Sequence, residues 1–505
     1  MELSVEVVLL SSVVLLCIYF FSKSVRPHGY PPGPKAVPIF GSMPFWPLRV
    51  LMGKIQMTTY LSKTWGDVAG CYLGNMPLVL ISDPEILRRV YKMDEVSGRE
   101  NSPPFHKLRF GGDDGKTPGI LLNQGEEWKE QRRFSLKTLR DLGLGRSTME
   151  DAINMEVEKL TDMLKKNYIG EPVDLQAKLN VSIVNALWYL LVGENFSLED
   201  PRLHHIVNLI NDTVRVRRFS NPLLKQLGPN MVEKFDGQFK TAMKMVDAIS
   251  KLTNEHIEKH KKNSSDDKED KDFVDVYLDQ VKNTTDPTSS FYGDAGETSL
   301  VATMLDLFLA GTETTSSTLL WGILFLMQHP DVQERVQEEL DTVLGNRATA
   351  SLDEKTRLPF TCAVILEISR KASLVPVIAH TTTVNCEFEG YKIPAGTIVM
   401  GNLIGIHHDE RFWTKPDVFD PERFFDKDNN ACLNSPNLVP FSVGKRYCLG
   451  QSLAEKELFL FFVGLMKAFK FEKPPGSTLP NLSVNAKTGG IRFAPNYKVL
   501  ITKRQ

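Results

Sequence analysis

One stretch of the chain is built to present a single reactive side chain: Pro440-Phe441-Ser442-Val443-Gly444-Lys445-Arg446-Tyr447-Cys448-Leu449-Gly450. Gly444 and Gly450 flank the cysteine, and glycine allows positive φ and close approach of backbone to a bulky flat group. Leu453, Leu458, Phe459, Phe462 and Leu465 then recur at helical spacing and predict a helix from Gln451 to near Phe469. A cysteine just before a helix N-terminus faces the positive end of the dipole and unpaired N–H groups, which favour thiolate over thiol. Lys445 and Arg446 add positive charge. A thiolate held in this way is a good ligand for iron. The competing reading is a structural cysteine buried ahead of a helix.

A second stretch could move protons. A helical pattern runs from Ala295 to Gln328 and is ended by His329-Pro330. At 1.5 Å per residue, roughly thirty residues span about 45 Å, enough to cross a domain. Its middle reads Ala310-Gly311-Thr312-Glu313-Thr314-Thr315. Glycine and clustered threonines are poor helix-interior residues, and a threonine can bond back to the carbonyl four residues earlier and bend the helix. A groove opened there has room for a small ligand and a water, and a carboxylate beside a hydroxyl can relay protons to it. The alternative is a patch that only kinks the helix.

Charged residues supply the remaining candidates. From Glu126 a helix places Trp128 and Arg132 on one face, with Lys129, Arg133, Lys137 and Arg140 on an adjacent one. Glu367 and Arg370 are spaced i, i+3 on a helix predicted over Pro359–Ala372, and Pro421-Glu422-Arg423-Phe424 follows. Taken alone, such a pair is a surface ion pair of little value and the basic face is a solvated one.

Together these runs resemble the cytochromes P450. Phe441, Gly444, Arg446, Cys448 and Gly450 fill every fixed position of the haem-thiolate signature F-x-x-G-x-R-x-C-x-G. Ala310 to Thr314 is similar to the oxygen-activating motif (A/G)-G-x-(D/E)-T, and Glu367/Arg370 with Pro421–Phe424 to the E-x-x-R and P-E-R-F elements. The resemblance spans the whole chain, and Trp-Lys-Glu-Gln-Arg-Arg-Phe-Ser is most similar to microsomal family-2-type enzymes. It implies a mainly α protein with small β-sheets: one P450 catalytic domain behind an N-terminal transmembrane anchor. It implies haem b, with Cys448 as axial ligand of the iron. Arg99, Trp128, Arg132, Ala310, His380, Phe441 and Arg446 would contact the haem, the charged ones cradling its two carboxylates. Thr314 would hydrogen-bond dioxygen, and Glu313 would feed protons. Glu367, Arg370 and Arg423 would form a buried network that fixes the cysteine region. Phe308, Val375 and Val377 would line the substrate pocket, together with the glycine- and proline-rich loop from Glu100 to Gly119.

The implied activity is monooxygenation, by hydroxylation or epoxidation, of a lipophilic small molecule (a steroid, fatty acid, terpenoid or xenobiotic). NADPH would act only indirectly, through NADPH–cytochrome P450 reductase, with cytochrome b5 as a candidate second partner. Two alternatives stand beside it: a P450-type peroxide isomerase or dehydratase, and a non-enzymatic haem sensor at the membrane. The intact Glu313-Thr314 pair speaks against the first, and the basic helix face and long pocket loop against the second.

The 505 residues, 42% hydrophobic and 24% charged, can bury a large core. A net charge of −2 without a basic tail excludes a nucleic-acid partner. Six scattered cysteines with no C-x-x-C pair speak against zinc or redox motifs and suit a reduced, cytosol-facing chain. Residues 3–21 are mostly apolar and long enough to span a bilayer. Lys23, Arg26 and Lys35 follow that span while Glu2 and Glu6 precede it, which puts the bulk of the chain in the cytosol. The expected divisions are an anchor over 1–22, a basic and proline-rich hinge over 23–38 containing Pro31-Pro32-Gly33-Pro34, and the catalytic domain over 39–505. Endoplasmic reticulum is the expected membrane. Six N-glycosylation sequons, Asn180 among them, read as chance on that orientation. Residues 259–271 are charged and apolar-poor, and are expected to form a flexible loop that holds no metal.

Overall fold

The computed structural model describes residues 26–504 together with 11, 12, 14 and 15, apart from 39, 54, 100–102, 111–115, 145–146, 216–233, 235–236, 264–270, 481 and 483–490. The expected anchor lies almost wholly outside the described residues, and no described helix is long and apolar enough to cross a membrane.

Strands β1 (Val68–Leu73) and β2 (Met76–Ile81) form an antiparallel hairpin turned at Gly74, whose φ is +60°. Alternation along β2 divides its side chains between two cores. Leu78 and Leu80 pack with Leu61, Ala69 and Cys71, while Val79 and Ile81 face Leu87, Val90, Tyr91 and Val399. The Asp83 carboxylate then caps helix α1 (Pro84–Tyr91) by accepting from Glu85 N and Ile86 N, each at 2.9 Å.

Helices make most of the rest. They include α2 (Gly125–Leu139), α3 (Ser147–Asn167), α4 (Gln176–Val192), α5 (Gly293–Gln328) and α6 (Pro359–Ala372). Strands β3 (Ile378–Thr381) and β4 (Ile398–Gly401), the short helix α7 (Leu403–His407) and helix α8 (Gln451–Ala468) complete the frame of the site. The sheet order is β1-β2-β4-β3, with β4 parallel to β2 and antiparallel to β3. Helices α3, α4, α5 and α8 share the main hydrophobic core, in which α5 is buried along most of its length. Each fully buried Leu, Ile or Phe there contributes roughly 1.5–3 kcal/mol.

The helices expected from sequence are present at nearly the expected limits. Two expectations need correction. The Glu100–Gly119 loop contains a short helix, Pro103–Leu108. The charged run after Lys259 is helical through Asn263, because the helix Gly237–Asn263 buries His260 against Asp272.

Candidate active site

Cys448 sits at the end of a turn closed on itself. Its N–H donates to the Phe441 carbonyl at 2.9 Å, and Ser442 and Gly444 both take positive φ, at +62° and +78°. Gly444 is required twice, since a Cβ there would lie 2.1 Å from the Tyr91 carbonyl oxygen. That same carbonyl accepts from Lys445 N at 2.9 Å, so the end of α1 braces the loop. Gly450 is different. Its φ is −86°, and a Cβ would meet nothing within 4 Å, leaving open space beside the cysteine.

The electrostatics differ from the sequence expectation. Burial pushes the Cys448 thiol up, against the Gly450 N–H and Arg132, which pull it down. Lys445 does not reach the sulfur; it pairs with Asp94. Arg446 turns to the backbone carbonyls of Ser97 (2.8 Å), Asn123 (2.6 Å) and Ile120 (3.4 Å), with its guanidinium 3.7 Å above the Trp128 ring. Burial therefore opposes the thiolate, which a bound metal cation would favour.

Around the loop lies a cluster of cations without anions. Burial lowers Arg446 to about 8 and Arg99 to about 10, and Arg132 is lowered as well; mutual repulsion adds to this for Arg446 and Arg99. Among the described residues none of the three makes an ion pair with a carboxylate. Arg132 donates to the Tyr447 carbonyl at 2.7 Å, and Arg99 donates to the Ala379 carbonyl. Buried polar atoms beside them lack partners: Arg99 Nε, Trp128 Nε1 and both ring nitrogens of His380. His380 stacks on Tyr91 at 3.8 Å and is held neutral by burial and by Arg99 and Arg446; the Val96 carbonyl is near but makes no hydrogen bond to the ring. Backbone pairing assembles the cluster, because Gly98 and Thr381 exchange hydrogen bonds of 3.0 and 2.9 Å and so set Arg99 beside His380. An unpaired guanidinium trio with orphaned N–H donors fits a planar ligand carrying two carboxylates.

Ala310 is exposed on α5 and Ala379 on β3, while Val375 and Val377 are half-buried before β3. Phe308 is placed otherwise: it is fully buried, edge-on to Trp188 of α4 at 5.6 Å, within the main core. Helix α5 is continuous through Ala310–Thr315. Its hydroxyls bond back four residues, Thr312 to Phe308 O (2.6 Å), Thr314 to Ala310 O (2.7 Å), Ser316 to Thr312 O (3.1 Å) and Thr318 to Thr314 O (2.9 Å). Glu313 is buried on another face and accepts from Asn180 of α4. That contact also removes Asn180 from any modification. Two turns before Glu313, Asp306 pairs with Arg109 at 2.6 Å and accepts from Ile120 N and Leu121 N, each at 2.8 Å, fastening the segment from Arg109 to Leu121 to α5.

The charge network behind the loop is buried. Glu367 and Arg370 form a two-bond pair, both at 2.7 Å and both fully buried. Glu367 also accepts from Asp420 N at 2.9 Å and lies 3.6 Å from Arg423, whose own hydrogen bonds go to the carbonyls of Thr414, Lys415 and Val418. Sequence reasoning missed Tyr91, Asp306, Arg109 and His407. No local pattern marks them, because their partners are far along the chain, from 32 residues away for His407 and Val439 to 354 for Tyr91 and Lys445.

Comparison with known proteins agrees with this geometry. The cytochrome P450 family model matches residues 31–500. This chain belongs to the cytochrome P450 family. It is 34% identical to human cytochrome P450 2J2 over 93% of this chain and 91% of that protein. It is 32% identical to mouse cytochrome P450 2J5 over 99% and 97%, and 33% identical to human cytochrome P450 2C8 over 96% and 98%. It is thus a P450 monooxygenase of family-2 type, with haem b as cofactor and lipophilic molecules as substrates.

Proposed function

We propose that this P450 hydroxylates or epoxidises a steroid, fatty acid, terpenoid or xenobiotic at the endoplasmic reticulum membrane, with electrons passed from NADPH by P450 reductase. The balance is RH + O2 + NADPH + H+ giving ROH + H2O + NADP+. The observation that carries the reading is the cluster of three guanidiniums around the Cys448 loop, none of which makes an ion pair with a carboxylate among the described residues.

The haem supplies the redox and oxygen chemistry when bound. Cys448 would hold it from the loop, and Arg99, Arg132, Trp128, His380 and Arg446 would receive its carboxylates. The Thr314 hydroxyl keeps its lone pairs while its proton rests on the Ala310 carbonyl, so it can accept a proton and pass one on. Glu313 is the buried carboxylate on the next residue, held by Asn180. The Asp306–Arg109 pair ties the segment around Arg109 to α5. Arg133 and Lys137 on α2, with Arg140 directly after it, are exposed and offer a basic face to an acidic electron donor. Phe40, Met43, Leu48, Leu51 and Met52 expose apolar surface close to the proline-rich hinge, suited to a lipid surface.

Turnover of a lipophile panel by the purified haem-loaded protein, read by product mass, tests this. A product heavier by one oxygen atom only when reductase, NADPH and oxygen are all present is expected. Rearranged peroxides formed without NADPH would replace the reading with the isomerase one.

A further inference from the structure

His407, at the C-terminal end of α7, is fully buried and bonded on both ring nitrogens. Its Nε2 accepts from Val439 N at 3.0 Å, and its Nδ1 lies 3.0 Å from Ser373 Oγ. Ser373 Oγ donates to the Arg370 carbonyl at 2.7 Å, and Arg370 Nη1 donates to the His407 carbonyl at 2.7 Å. These contacts fix the tautomer. A backbone N–H can only donate, so Nε2 carries no proton and Nδ1–H donates to Ser373. A charged imidazolium would set Nε2–H against the Val439 N–H. Burial and the neighbouring Arg370 also hold the ring neutral, with its pKa lowered to about 3.

Val439 stands immediately before Pro440-Phe441, where the cysteine turn begins. Its carbonyl accepts from Ser442 N at 3.1 Å, and the Phe441 carbonyl closes the turn on Cys448 N. Pro440 has no N–H, so Val439 offers the last backbone donor before the turn. The path from the Glu367–Arg370 pair to the cysteine turn thus passes through one imidazole.

We infer that His407 is a positioning residue for the cysteine turn: as a neutral, Nδ1-protonated imidazole it transmits the placement of the buried Glu367–Arg370 pair to Val439, and so sets where Cys448 is presented. This rests on Cys448 being the iron ligand. It goes beyond that reading by assigning a role to a histidine outside every motif, 41 positions before the cysteine.

Two conservative variants separate the two ring nitrogens. His407→Gln can still accept from Val439 N but gives up the Ser373 contact, whereas His407→Asn reaches Ser373 and leaves Val439 N unbonded. Both are measured as haem-loaded full chains, with Cys448→Ser as the control that reports the ligand itself. Two readouts are taken: amide hydrogen exchange at Val439, with Asp420 N as internal reference, and the share of thiolate-type against thiol-type absorption in the ferrous carbon monoxide complex. Exchange at Val439 about tenfold faster in His407→Asn than in His407→Gln is expected, with Asp420 unchanged and a lower thiolate share only in the Asn variant. Equal exchange and equal thiolate share in the two variants would overturn the inference. A thiolate band that survives Cys448→Ser would instead overturn the ligand assignment on which it rests.

Discussion

On the cysteine side of the site, each segment leading to Cys448 is held by a side chain or carbonyl from a distant part of the chain. On the Thr314 side, the hydroxyls of Thr312, Thr314 and Ser316 bond back within their own helix. Tyr91 O meets Lys445 N, His407 meets Val439 N, and Arg446 reaches the carbonyls of Ser97, Ile120 and Asn123. Thr312, Thr314 and Ser316 each return their proton to the turn before. The difference follows from what each side must do. A ligand atom has to be fixed in space, so its loop is fastened through long-range contacts. A proton-passing hydroxyl has to change partners, so it rests on a carbonyl it can leave.

The contrast can be broken by substitution, beginning with the largest effect. Glu367→Ala leaves Arg370 as a buried, uncompensated charge and should cost about 3–5 kcal/mol, read as lost thermal stability and lost haem loading. Gly444→Ala forces a Cβ against the Tyr91 carbonyl at positive φ and should cost on the order of 3 kcal/mol, with haem content falling alongside. Wild-type stability and haem content in either variant would remove the claim that the cysteine side is rigidly specified.

Glu457 of α8 links the two sides, because Thr315 Oγ1 donates to it at 3.1 Å and burial raises its carboxyl from 4.5 to about 8. The folded protein therefore holds a proton that the unfolded chain releases. That contribution is complete below about pH 4.5 and is lost as pH rises through about 8, so stability should decline across this window by roughly 5 kcal/mol. Glu457→Gln should flatten the decline in a pH series of denaturant titrations; an unchanged slope would place its source elsewhere. The smallest effect on folding belongs to Thr314→Ala, below about 1 kcal/mol, since the hydroxyl satisfies only a carbonyl of its own helix. Its effect on function should be larger: NADPH consumption continues while product per NADPH falls and peroxide rises. Unchanged coupling would count against proton passage through Thr314.

The same contrast explains what was legible in the sequence. The cysteine turn, the helix after it, α5 and the Glu367–Arg370 pair announce themselves through local spacing, and the strand and helix limits follow from alternation and caps such as Asp83. The braces Tyr91 and His407 have no local signature, since each acts on a backbone atom far along the chain. The same limit hides the surroundings of Phe308, whose ring packs on Trp188 of another helix. It also credited Lys445 with a thiolate-stabilising role, although Asp94 holds it. The substrate was not legible because the residues expected at the pocket, Val375 and Val377, are half-buried aliphatics, which disfavour a charged group but name no particular molecule.

The most direct test of the account is the absorption spectrum of the ferrous carbon monoxide complex for the wild type and for Cys448→Ser, each loaded with haem. The account predicts a thiolate-type band in the wild type and none in the variant, with haem still bound through the Arg99, Arg132 and His380 cradle. A thiolate-type band in Cys448→Ser would contradict it, because the iron would then be held by a cysteine other than the one this loop presents.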